Sequence, residues 1–130
     1  MSMKKSLIIL ATIIVAVTVL SVIQSNGSAM LIDMSDTAIS FSGIDDFRHE
    51  IAYSDIVALT LNGVADWDAL GGQRFGDFRV GHLEGRVLFA TIQSDKLIYA
   101  ELIDGSYMVF NYNNTNDTEA IYNMLLKNLQ

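Results

Sequence analysis

Cysteine is absent from the 130-residue chain. That excludes a disulfide framework, a thiolate metal site, a cysteine nucleophile and the acylated thiol of a lipoprotein. Histidine occurs only twice, as His49 and His82, and neither has a His-x-His or His-x-x-x-His companion. Local spacing therefore offers no zinc site, and a partly exposed structural role fits each imidazole better. Basic residues are scarce beyond the N-terminus. From Ser28 onward six Lys and Arg stand against fifteen Asp and Glu, a formal balance of −9. Such a surface repels nucleic acid and anionic headgroups, whose recognition needs a basic footprint.

The chemistry of catalysis is missing as well. No Gly-x-Ser-x-Gly elbow is present. The acidic pairs Asp45-Asp46 and Asp66-Trp67-Asp68 read as solvated turns rather than as an acid and base dyad. The oxygen-rich run Asn113-Asn114-Thr115-Asn116-Asp117 lacks the glycine and terminal glutamate of a calcium loop and reads as helix capping. The expectation is a protein without catalytic residues, cofactor or metal.

What the chain does have begins at residues 6–23, SLIILATIIVAVTVLSVI, eighteen positions without a charge. As a helix this stretch would be about 27 Å long, close to the thickness of a bilayer's hydrocarbon core. Lys4 and Lys5 precede it and no Lys or Arg follows closely, so the positive-inside rule places residues 1–5 in the cytoplasm and the rest outside. The competing reading is a signal peptide cleaved near Ser25 to Ala29, giving a secreted protein, but the apolar run exceeds the roughly 7 to 15 residues usual there. Residues 24–29, QSNGSA, form a short polar stalk before a domain spanning 30–130.

That domain reads as a β-meander closed by one helix. The strand-like runs are AMLIDM, TAISFS, FRHEIAY, DIVALTLN, RFGDFRV, GRVLFATI, KLIYAELI and SYMVFNY, separated by turn residues. Gln93-Ser94-Asp95-Lys96 is expected to join one hairpin and Asp104-Gly105 another. Period two then gives way to a helical pattern, with Asn116 as cap, Glu119 as its capping-box partner, and Ile121, Met124, Leu125 and Leu129 on one stripe.

Residues 74–90, RFGDFRVGHLEGRVLFA, pose the sharpest question, because three arginines and three glycines sit close together in an acidic chain. A phosphate-binding loop would end in Gly-Lys-Ser/Thr at a helix start, and nothing of the kind follows Gly76 or Gly81. Gly81 and Gly85 are expected to be turn or bulge punctuation that bends the sheet. Arg74, Arg79 and Arg86 could relieve the negative field for a small anionic ligand or an acidic partner. The plainer reading pairs them with Asp77, Glu84 or other surface acids.

The string AISFSGIDDFRHEIAYSDIVALTLN, then Arg74-Phe75-Gly76, Gly81, Gly85-Arg86-Val87-Leu88-Phe89, and NYNNTNDTEAIY to Tyr122, resembles the bacterial pleckstrin-homology-like domain families. The resemblance covers roughly residues 30–128. It implies a mainly β fold, a half-open antiparallel barrel capped by a C-terminal amphipathic helix, in a module often joined to a transmembrane helix and without catalytic residues. It does not imply phosphoinositide binding, because the first hairpin region carries Asp33 and Asp36 where headgroup-binding members place lysines and arginines. Within such a barrel Trp67, in the loop NGVADWDALGGQ, either folds back onto the rim or, if exposed, leads the candidates for a partner contact. The expected function is therefore non-enzymatic binding of a protein partner at the outer face of the membrane. Binding of a small ligand or envelope lipid at the barrel mouth is the alternative.

Overall fold

The computed structural model describes residues 30–64 and 66–129. The expected membrane span and stalk lie outside these residues. Among the described residues no helix is long and apolar enough to cross a membrane. The fold is mainly β, with two sheets and one C-terminal helix, and the chain divides into two compact units after Tyr53.

The first unit holds three antiparallel strands, β1 (Leu31–Met34), β2 (Ala38–Ser42) and β3 (Arg48–Ala52), in that order. Strict alternation builds it. Ile32, Met34, Ile39, Phe41 and Ile51 share one buried face, while Asp33, Ser40, Ser42, Arg48 and Glu50 share the other. The β1–β2 turn is tied by Ser35, whose Oγ accepts the Ala38 amide at 3.1 Å. The buried Tyr53 hydroxyl donates to the Ser35 carbonyl at 2.8 Å.

Burial, reinforced by the charges of Asp33 and Asp36, pushes the Tyr53 phenol well above its ordinary 10.0. Burial pushes the Tyr112 phenol up as well. An acid raised by folding contributes stability that is complete below its unfolded pKa and is lost as pH climbs above it. Stability is therefore expected to hold up to about pH 10 and to fall beyond. Ultraviolet titration should show these two phenols ionising together with unfolding, and early ionisation in the folded chain would refute the assignment.

The second unit holds β4 (Ile56–Gly63), β5 (Gln73–Phe75), β6 (Phe78–Leu83), β7 (Arg86–Thr91), β8 (Lys96–Leu102) and β9 (Tyr107–Phe110), followed by helix α1 (Thr115–Asn128). The sheet order is β4-β8-β9-β7-β6-β5. The expected run RFGDFRV is split by the Gly76-Asp77 turn into β5 and β6, and Glu84-Gly85 turns β6 into β7. Asp104-Gly105 closes the β8–β9 hairpin as expected.

The simple meander does not hold. β7 and β8 are not neighbours; β9 lies between them, antiparallel to β8 and parallel to β7. The segment Ile92-Gln93-Ser94-Asp95 is thus a crossing over the end of β9, not a hairpin turn. The physical reason is Asn111. Its fully buried side chain accepts the Thr91 amide at 2.7 Å and donates to the Thr91 carbonyl at 2.9 Å and to the Lys96 carbonyl at 3.1 Å. One amide group thereby holds the end of β7 and the start of β8 on either side of β9.

The register defines two faces. On one, Val80, Phe89, Ile98, Ala100, Met108 and Phe110 are buried, and α1 packs on β4 and β8. Lys96, on the same side of β8 as Ile98 and Ala100, reaches Glu119 of the helix at 2.9 Å. The helix cap lies two residues before the expected one. The Asn114 side chain accepts the Asp117 amide at 2.8 Å, and Glu119 is spent on Lys96 instead of a capping box. Of the expected stripe, Ile121 and Leu125 are buried, joined by Thr118, while Met124 and Leu129 are half-buried. Replacing Asn114 by alanine should cost about 1 kcal/mol, measurable by urea unfolding; no change would mean that the cap is idle.

Candidate functional site

The opposite face of the six-stranded sheet carries Arg79, Gly81, Arg86, Leu88, Ala90, Leu97, Tyr99, Glu101, Tyr107 and Val109. Its buried centre is Leu88, Ala90, Leu97 and Val109. The loop between β4 and β5 lies over this centre. Val64, Trp67 and Leu70 pack against it, so Trp67 folds back and is half-buried. Gly72 makes the close approach feasible: a Cβ there would sit 3.0 Å from both Leu88 Cδ2 and the Val80 carbonyl oxygen, and its φ is +80°. Gly81 is the facing half of the same device. It lies inside β6 and not in a turn, with Gly72 Cα only 3.4 Å from where its Cβ would be.

The three arginines do not converge on a ligand. Arg74 and Arg79 are directly opposite across β5 and β6, an unfavourable pairing of like charges. They separate. Arg79 is buried and donates through Nη1 to the Gly76 and Phe78 carbonyls at 3.2 and 3.1 Å. Arg74 stays exposed, 3.7 Å from Asp68. Arg86 donates through Nη2 to the carbonyls of Leu70 and Ala69, clamping the Trp67 loop to β7. Arg86→Met should therefore lower stability by about 1 to 3 kcal/mol and shift the emission of the sole tryptophan to the red. Unchanged emission would mean that the clamp does not hold the loop.

Where the loop ends, the face is open. A groove of about 390 Å³ runs over Tyr99, Tyr107 and Val109, bounded by Thr60 and Asn62 of β4 and by Glu84 and Arg86. The Tyr107 hydroxyl donates to Glu101 at 3.0 Å across the β8–β9 pair. Beside the groove, β4 is the end strand of its sheet and, among the described residues, is hydrogen-bonded there to β8 alone. A bulge between Ile56 and Ala58 turns Val57 outward to 57% exposure. Ile103, 70% exposed, lies at the same corner, its amide donating to the Asp55 carbonyl at 2.9 Å.

A second hollow of about 360 Å³ lies on β2 and β3 of the first unit, among Ser40, Ser42, Arg48, His49 and Glu50. His82 is exposed on β6. Among the described residues no group of three or more His, Asp or Glu is placed to hold a metal ion. Residue types had pointed to Trp67 and the arginines, whereas the open surface is made by Val57, Thr60, Asn62, Tyr99, Ile103 and Tyr107. The signal that could have found part of it is β4 itself, an uncharged run with a long loop after it. Comparison with protein-family models, with curated proteins and with solved structures finds no match to this chain.

Proposed function

We propose that the chain is a single-span membrane protein whose acidic C-terminal part faces outward and acts as a non-enzymatic, pleckstrin-homology-like module that binds a protein partner. Two β-sheets followed by one C-terminal helix agree with the mainly β composition and closing helix that the sequence resemblance implies. The crossing that seats β9 between β7 and β8 is this chain's departure from a plain meander. The observation that carries protein binding is β4: eight residues, no charge, one bonded neighbour among the described residues, and a groove alongside. Such an edge is the usual receptor for an extended peptide, with main-chain bonds giving affinity and side-chain hollows giving selectivity.

The groove over Tyr99 and Tyr107 also supports the alternative, a small ligand or envelope lipid held by its two aromatic rings and flanking polar groups. Crosslinking of the full-length protein in native membranes separates the two. A reproducible protein adduct mapping to the second unit supports the module. Capture of lipid or glycan alone overturns protein binding in favour of the ligand reading.

A further inference from the structure

We infer that β4 receives, as an added strand, an extended segment of a partner protein that bears lysine or arginine; this rests on the protein-binding reading and names the partner's chemistry. Between Ile56 and Gly63 the strand has neither the charges nor the proline that usually defend an edge, and only one bulge, at Val57. Its surroundings select for charge. Asp55 precedes it, Glu101 is paired with its Ala58, and Asp104 follows Ile103 at the same corner. At the far end lies Asp95, whose backbone carbonyl accepts the Val64 amide at 3.0 Å. The nearby cations are committed elsewhere: Lys96, opposite Gly63, to Glu119, and Arg86 to the loop carbonyls.

Ala58 makes the selection specific. A strand added beside β4 lies about 10 Å, two strand spacings, from Glu101. The small alanine leaves that path open on the shared face, and a lysine stem laid across it brings its ammonium to the Glu101 carboxylate. Val57 and Ile103 supply apolar contact at the same end. A second copy of this chain is the wrong occupant, because antiparallel pairing of β4 with itself sets the Asp55 end of each copy against the Asp95 end of the other. An anionic lipid surface is repelled for the same reason.

The test uses the full-length protein in detergent and fluorescent peptides of about eight residues, the length of β4, alternating valine with lysine, glutamate or serine. The lysine series should bind on the order of tenfold more tightly than the others. N-methylation along one edge of the lysine peptide should abolish binding, since it removes the donors that strand addition needs. Glu101→Gln, which can still accept the Tyr107 hydroxyl, should erase most of the lysine preference. Equal binding of the lysine and glutamate series, no binding by any series, or indifference to N-methylation overturns the inference. If native membranes still yield a protein adduct, the module stands and only the β4 assignment falls; if they yield none, both fall.

Discussion

Asn111→Leu is expected to lower stability by about 3 kcal/mol or more. The substitution strands three backbone groups, the Thr91 amide and carbonyl and the Lys96 carbonyl, each hydrogen-bonded to Asn111 at 3.1 Å or less. A buried polar group left without its partner costs about 1 to 3 kcal/mol, and a small domain has only about 5 to 15 kcal/mol in hand. Asn111→Asp should be no milder, because a carboxylate can accept the Thr91 amide but cannot donate to either carbonyl, and it would bury a charge. Urea unfolding of the full chain measures both. A loss under 1 kcal/mol would mean that the crossing of residues 92–95 is held by something other than this side chain. Thr118→Val is the related, smaller test: Thr118 Oγ1 accepts the Tyr112 amide at 3.0 Å and lies 3.0 Å from Ser94 Oγ, tying the helix to the same crossing.

Gly72→Ala has the second largest expected effect. An alanine held at φ +80° is strained by about 1 to 2 kcal/mol. Its Cβ would also press on the Val80 carbonyl and on Leu88 Cδ2, both at 3.0 Å, an overpacking cost of about 1 to 3 kcal/mol more. Gly76→Ala is the control. It shares the left-handed backbone, at φ +59°, but a Cβ there meets nothing within 4 Å. The difference between the two variants isolates the contact of the loop with the sheet. Because Trp67 rides on that loop, Gly72→Ala should also shift tryptophan emission to the red while Gly76→Ala leaves it unchanged. Equal losses and unchanged emission in both would mean that the loop is not seated on Leu88.

Local patterns were legible because their cause is local. Alternation placed β1 to β4 and β7 to β9 within a residue or two, and Asp104-Gly105 marked its hairpin because glycine takes positive φ at no steric cost. The neighbours of a strand are set by groups far apart in sequence. Nothing around Gln93-Ser94-Asp95-Lys96 distinguishes a hairpin from a crossing, and Asn111, the residue that decides, stands twenty positions after Thr91. It carried one legible sign, a lone amide in an otherwise apolar run, since a buried amide obliges partners. Gly81 reads as turn or bulge punctuation in the sequence, whereas it lies in regular register inside β6, because its reason is the approach of Gly72 from another segment. The arginines drew attention by type, yet Arg79 and Arg86 spend their donors on backbone carbonyls. The uncharged run of β4 was visible in the sequence, but its place at the end of the sheet was not, because which strands pair is a property of the sheet.

Amide hydrogen exchange along β4, read residue by residue in the full-length protein, tests the account most directly. Among the described residues β4 is bonded only to β8, which predicts alternating protection from Val57 to Asn62, with every second amide exchanging freely and becoming protected when a lysine-bearing strand is added. Uniform protection of β4 in the unliganded protein would contradict the account, because the edge assigned to a partner would already be filled.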